Sequence, residues 1–230
     1  MKGGIALIVG AGSGLSAAIA RAYTAEGLTC VLAARRTDKL KALCAEIGAT
    51  AIACDCAQPQ QVDALFAQVD QLCAAPAVVV FNASARVRGP LIELDRAKVA
   101  EAITTSAYGG FLVGQAATKR MLAQKAGTII FTGASASVKG YAQSATFAMG
   151  KFALRGLAQS MARELAPQNI HVAHVVIDGG ISSAERLVPA DKPDSLLDPQ
   201  AIAQSYVHLL KQQRSAWSWE IEVRPWVERF

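Results

Sequence analysis

Ile5-Ala-Leu-Ile-Val-Gly10-Ala-Gly-Ser-Gly14-Leu-Ser16 decides how the rest of this 230-residue chain is read. An aliphatic run stops at a glycine-rich turn, and the turn leads directly into an alanine-rich segment with helical spacing. Gly10, Gly12 and Gly14 let the main chain turn tightly and leave its N–H groups bare. The positive end of the following helix adds to them, so Gly10 to Leu15, with Ser13 between the glycines, is built to hold a phosphate. A glycine triplet alone says little, but between the first strand and first helix of an alternating chain it is a strong signal.

That alternation continues to the C-terminus. Short β-branched runs at 4–9, 28–33, 50–54, 77–82, 127–132, 169–176 and 217–223 read as strands. Helical patterns occupy 14–26, 38–47, 59–73, 95–125, 143–166 and 198–212. Unbroken apolar runs such as Ala77-Val-Val-Val-Phe81 suit strands covered on both faces. The expected fold is α/β: a Rossmann-type, doubly wound parallel sheet of about seven strands flanked by helices. No linker or low-complexity run divides the chain, so 1–230 is expected to be one domain. The 95–125 segment is long for one helix and carries Gly109, Gly110 and Gly114, which reads as a frayed or bent helix, or as close backbone approach and tight packing, as against a second subunit.

Composition removes several classes. The chain carries a net charge of +5, but its basic residues are scattered, with Arg35-Arg36 and Lys119-Arg120 the densest pairs, so nucleic acid is not an expected partner. No apolar run is long enough to span a membrane. Met1-Lys2-Gly3-Gly4 leads straight into a strand without a leader pattern, and a cytoplasmic location is expected. Five cysteines (Cys30, Cys44, Cys54, Cys56 and Cys73) without CxxC spacing predict free thiols and no metal site. His171 and His174 are three apart on one strand and face opposite ways, and His208 lies on a helix surface.

The phosphate turn, the Asn82-Ala83-Ser84 that follows the fourth strand, Asp178-Gly179-Gly180-Ile181 after the sixth, and Phe147-Ala-Met-Gly-Lys151 on a helix occur in one order. Together they resemble the short-chain dehydrogenase/reductase family over essentially the whole chain. Against that family's GxxxGxG, Gly10 and Gly14 match and Ser16 replaces the last glycine. The resemblance implies that Asp55, with Cys56 beside it, contacts an adenine, and that Asp178, Gly179 and Ile181 flank a nicotinamide. Ser84 and Asp178 depart from the family's Gly and Pro. An acidic residue at the end of the second strand would select NAD; Arg35 and Arg36 stand there instead and favour the 2′-phosphate of NADP.

The family's Tyr-x-x-x-Lys keeps Lys151 but places Phe147 at the tyrosine. Its serine position falls on Ala134 and its asparagine position on Ser106. Since a positioned proton donor contributes about 10² to 10⁴ in rate, substitutes are needed, and Ser135, Ser137 and Tyr141 follow in the next loop. Ser135 serves only if the strand has ended before it. Lys151 holds the nicotinamide ribose in the family, and could itself move a proton if burial lowered its pKa. The expected function is NADP-dependent hydride transfer to or from a small carbonyl or alcohol, the alternative being a non-catalytic NADP sensor. The resemblance also implies a homodimer or homotetramer formed through 95–125 and 143–166. Residues 182–199, with three prolines, read as a lid or a plain connector.

Overall fold

The computed structural model describes residues 3–72 and 75–228; Cys73, at the end of the helix expected over 59–73, lies outside them. Seven strands, β1 (Ile5–Val9), β2 (Thr29–Ala34), β3 (Thr50–Ala53), β4 (Val78–Phe81), β5 (Gly127–Thr132), β6 (Ile170–Ile177) and β7 (Glu220–Val223), form one sheet. Its order is β3-β2-β1-β4-β5-β6-β7, and every pairing is parallel. The helices are α1 (Leu15–Ala25), α2 (Lys41–Ile47), α3 (Pro59–Val69), α4 (Arg96–Ile103), α5 (Gly109–Gln124), α6 (Ala145–Leu165) and α7 (Pro199–Lys211).

The sheet is doubly wound. One apolar layer joins Leu7, Val79 and Phe131 to Phe66 of α3, Val113 of α5 and Leu154 of α6. The opposite layer joins Ile8, Val80 and Val175 to Ile19 of α1, Leu43 of α2 and Tyr206 of α7. Every residue of β4 and β6 is buried, which explains the uninterrupted apolar sequence of β4, while β6 also buries His171 and His174. The order reverses between β1 and β4, so the carboxyl ends of these two strands open a crevice where such sheets bind ligands. Among the described residues no helix is long and apolar enough to cross a membrane.

The segment expected as one helix over 95–125 is not one. Asp95 caps α4 by accepting from the Lys98 N–H at 2.9 Å, a π turn occupies Thr104–Tyr108, and α5 follows. The glycines answer to this chain's own packing. A Cβ on Gly109 would lie 3.0 Å from the Cys56 carbonyl oxygen, one on Gly110 would collide with Leu154, and one on Gly114 would meet Met161 at 3.1 Å. Near residue 38 the expected helix starts as a 3₁₀ turn over Asp38–Leu40, and the last strand is shorter than 217–223.

Candidate functional site

The phosphate turn sits where the crevice opens. Gly10 has φ +84° and packs so tightly on the next crossover that a Cβ there would collide with the Ala83 backbone. Only glycine accepts that position without strain. Gly12 and Gly14 are the opposite case: nothing lies within 4 Å of where their Cβ atoms would be. Gly14 is the N-cap of α1, and no side chain caps this helix end. Bare backbone and free space in front of a helix N-terminus are what a diphosphate needs. Ser13 is exposed beside them, whereas the Leu15 side chain turns into the core.

Ser16 does more than fill a glycine's place. Asn82 Nδ2 donates to Ser16 Oγ at 2.7 Å, and Ser16 Oγ donates to the Gly10 carbonyl at 3.2 Å. This chain of bonds ties the first crossover to the fourth strand's end.

A cleft beside the turn is lined by Gly10, Arg35, Asp55, Cys56 and the Asn82-Ala83-Ser84 segment. The structure therefore brings together the residues expected around an adenosine. Val9, Ala11, Ala34, Cys54 and Thr105 also line it and were not anticipated. Val9, Ala34 and Cys54 lie at or beside strand ends, Ala11 in the phosphate turn and Thr105 on the π turn, positions that periodicity does not single out. Arg36 is exposed next to Arg35 but outside this lining. Asp55 Oδ1 accepts from the Ala57 N–H at 3.0 Å, which fixes the turn after β3. Burial raises the Cys54 and Cys56 thiols, to about 11 and about 12, with Asp55 adding to both, so both stay protonated at neutral pH. Cys30, Cys44, Cys54 and Cys56 are free thiols, and no group of three potential metal ligands occurs among the described residues.

Along the carboxyl edge toward β5 the site becomes cationic and apolar. Lys151 reaches from α6 to the end of β5, where Nζ donates to the Thr132 carbonyl at 2.6 Å. Only 3% of the residue is exposed. Burial, and then the charge of Arg86, push its ammonium down from 10.5 to about 7. Phe147, one turn before it, is buried and holds its ring centre 5.8 Å from Nζ. The Arg86 guanidinium covers that ring at 3.8 Å.

The other expected residues divide. Ser106 sits on the π turn, buried against Gly150, and its Oγ accepts from the Ala85 N–H at 3.1 Å. It braces the segment that carries Arg86. β5 ends at Thr132 and Ala134 is extended outside the strand, so Ser135 is freed from the alternation that would turn it away. Ser137, by contrast, is fully buried and committed. Its Oγ accepts from the Ala134 N–H at 3.1 Å and lies 3.3 Å from His174 Nε2, while His174 Nδ1 lies 2.9 Å from Glu220. Burial pushes His174 down to about 4, so it is neutral at pH 7. A carboxylate only accepts; Nδ1 therefore carries the proton and Nε2 accepts from Ser137. Arg155 closes the chain with two bonds of 2.6 and 2.7 Å to Glu220. His171 faces the other side of β6, stacked on Trp217, and His208 is exposed on α7.

Tyr141 is exposed at the mouth of the site beside Lys139. Lys139 forms a 3.0 Å ion pair with the buried Asp178, giving a polar anchor where the sequence pattern departs from proline. Gly179 has φ +150° and faces Pro225. A Cβ on Gly180 would collide with the Arg186 guanidinium. Ile181 pairs with Leu197 in a parallel bridge, which fastens the two ends of the proline-rich loop together. Arg86, Arg88 and Arg186 were not expected as site residues; their only sequence signal is proximity to Asn82–Ser84 and Asp178–Ile181.

The family model for short chain dehydrogenase matches residues 4–186. Among curated proteins, an uncharacterized oxidoreductase of Staphylococcus aureus is 28% identical over 227 residues, covering 96% of each chain. The 3-oxoacyl-(acyl-carrier-protein) reductase MabA of Mycobacterium tuberculosis is 29% identical over 77% of this chain and 69% of its own. Among solved structures, a short-chain dehydrogenase from Rhodopseudomonas palustris is 36% identical with a TM-score of 0.83, covering 96% of this chain and 98% of its own. A metagenomic short-chain oxidoreductase in complex with NADP is 28% identical with a TM-score of 0.86, covering 99% of both. With the fold, the phosphate turn and the buried lysine in place, the chain belongs to the short-chain dehydrogenase family and is an NAD(P)-dependent oxidoreductase.

Proposed function

We propose an NADP-dependent oxidoreductase that interconverts a small carbonyl compound and its alcohol, with Lys151 handling the proton that relatives pass through a tyrosine. The open cradle at Gly12 and Gly14 supports the cofactor's fit. Backbone amides from Gly12 to Leu15 would hold the diphosphate, and Arg35, with Arg36 beside it, the 2′-phosphate. Asp55 and Cys56 would border the adenine, Asn82, Ala83 and Ser84 the ribose side, and Asp178, Gly179 and Ile181 the nicotinamide. When bound, the nicotinamide supplies or accepts the hydride. A solved relative in complex with NADP supports the same choice for this chain.

One observation carries the proton assignment: a lysine that is buried, pushed down to about 7, and next to the residue in the tyrosine position. At that value both the ammonium and the amine are populated at neutral pH, the condition for efficient general acid–base work. In the reducing direction Nζ gives its proton to the oxygen of the carbonyl being reduced; in the oxidising direction the amine takes the proton of the hydroxyl. Phe147 and Ala134 make the remaining wall apolar, Ser106 stands at the asparagine position, and Ser135 and Tyr141 are the nearest loop hydroxyls.

The test is to titrate the protein with NADPH and NADH by cofactor fluorescence, then to follow NADPH consumption across a carbonyl screen over pH 5–9. Turnover that falls as pH rises through about 7, and is lost in Lys151→Met, supports the assignment. Tight binding with no turnover anywhere in the screen points to a non-catalytic sensor.

Residues 1–230 are read as one functional unit that assembles as a homodimer or homotetramer. Tyr108 and Phe111 near the start of α5, and Met149 and Phe152 on α6, are large apolar side chains left exposed. They lie on the segments 95–125 and 143–166, and a second copy of the chain is the partner proposed for them. Light scattering on the purified protein decides the state.

A further inference from the structure

Three arginines stand on the substrate side of the site, and no described residue forms an ion pair with them. Arg86 lies on the Phe147 ring, 3.8 Å from its centre. The Arg186 guanidinium lies against Gly180, where a Cβ would come within 2.4 Å of it. Arg88 is two residues beyond Arg86, in the same exposed segment. Among the described residues none of the three forms an ion pair, although Arg21, Arg120, Arg155 and Arg224 all do. Arg88 and Arg186 are both close enough to Arg86 to oppose its charge. Burial against the ring, followed by the like charges of Arg88 and Arg186, depresses the Arg86 guanidinium below its ordinary value. Bringing three cations together without a counter-charge costs free energy that a bound anion would return.

Their placement separates this group from the cofactor's own anions. Arg86 follows Asn82–Ser84 and faces the residue in the tyrosine position; Arg186 covers the segment expected beside the nicotinamide. The dinucleotide's diphosphate belongs at Gly12–Leu15, and its 2′-phosphate at Arg35, at the other end of the carboxyl edge.

We infer that Arg86, Arg88 and Arg186 form an anion-reading rim, and that the substrate is a small carbonyl compound bearing a carboxylate or a phosphate. This deepens the oxidoreductase reading and rests on it for the carbonyl. Guanidinium forks match both anions through paired N–H bonds. The flat Phe147 ring keeps the Arg86 fork pre-set, because stacking on an aromatic face restrains its rotamers. The carbonyl end is then left toward Lys151, 5.8 Å from the same ring centre.

The experiment compares acetoacetate, dihydroxyacetone phosphate and the neutral methyl acetoacetate as substrates of the NADPH-saturated protein. At low salt, kcat/KM for one of the two anions should exceed that for the ester by roughly tenfold or more, as expected for a charge-assisted contact. Added sodium chloride should shrink the preference, since exposed charges are screened. Arg86→Gln and Arg186→Gln should each remove most of it through KM while leaving the NADPH dissociation constant within about twofold. Which anion wins identifies the group that is read.

An ester used as well as both anions overturns the proposal, and so do variants that weaken NADPH binding without touching the preference. Calorimetric titration with malonate and with inorganic phosphate keeps the two readings apart. If NADPH fails to bind, the oxidoreductase reading falls, yet anion binding lost in Arg86→Gln still upholds the rim. Neither anion binding, with NADPH bound, sinks the rim alone.

Discussion

The Arg86 guanidinium stands 3.8 Å above the Phe147 ring, and Lys151 Nζ lies 5.8 Å from the same ring centre. Two cations thus lie beside one apolar ring. Burial first, and then the charge of Arg86, lower the lysine's hold on its proton. Under the proposed function, that lowered pKa makes the ammonium a better acid beside Phe147.

Replacing Arg86 by Gln tests that coupling. Removing the second cause of the depressed Lys151 value should move the pH at which turnover declines upward from about 7. Initial rates of NADPH consumption between pH 5 and 10 in the wild type and Arg86→Gln give the comparison. Superimposable profiles would show that Arg86 does not act on the lysine.

Phe147→Tyr, combined with Ala134→Ser, restores hydroxyls at the two positions where relatives carry them. A proton donor placed at residue 147 should raise reduction of neutral carbonyls by about 10² or more. The single Phe147→Tyr should give part of the gain and Ala134→Ser alone little, since such groups act as a unit. Steady-state kinetics on one ketone across the four proteins reads it out.

Lys151→Met should stabilise the fold while abolishing turnover. The folded state binds fewer protons at this side chain than the unfolded state between pH 7 and 10.5. Its contribution therefore improves as pH rises through that window, and below about 7 the full penalty is present. The methionine variant should be more stable at pH 7 by on the order of a few kcal/mol, with a flatter rise toward pH 10. Urea unfolding at pH 6.5, 8 and 9.5 measures both.

Gly10→Ala should fail for two reasons at once. The backbone at φ +84° strains any other residue, and the added carbon meets the Ala83 main chain rather than a side chain that could turn away. A loss of about 2 kcal/mol or more in stability is expected, with weakened NADPH binding. Gly12→Ala, where nothing lies within 4 Å, should keep its stability and lose cofactor affinity alone. Thermal melts and fluorescence titrations of the pair separate folding from binding.

Arg35→Glu should invert cofactor choice. Arg35 lines the cleft whereas Arg36 does not, so the first arginine should carry most of the preference. Dissociation constants for NADPH and NADH in Arg35→Glu and Arg36→Glu show which one reads the phosphate. Equal effects would place both side chains on it.

Much of this was legible because period and punctuation are local properties. Seven apolar runs, each followed by a turn, give a parallel sheet, and glycines in the first turn give the crevice. The place of the break in 95–125 was not legible: Thr104–Tyr108 has no helix-breaking residue, and the π turn becomes apparent only once Ser106 is seen against Gly150. The arginine rim was hidden for a related reason. Arg86 and Arg186 are 100 residues apart in sequence and meet only because β4 and β6 end on the same edge of the sheet. Ser137 looked like an available hydroxyl because sequence does not reveal that His174 and Glu220 already claim it.

The π turn also sets a rule for insertions and deletions. Each residue advances a helix by about 100°, so losing one from Thr104–Tyr108 would rotate everything downstream by that angle. Gly110 and Gly114 would swing away from Leu154 and Met161, and bulkier neighbours would be driven into those gaps. The extra residue works as a phase adjuster between two helices whose buried stripes do not share a common origin. Length in this five-residue stretch should therefore be far less negotiable than the chemical identity of its exposed members.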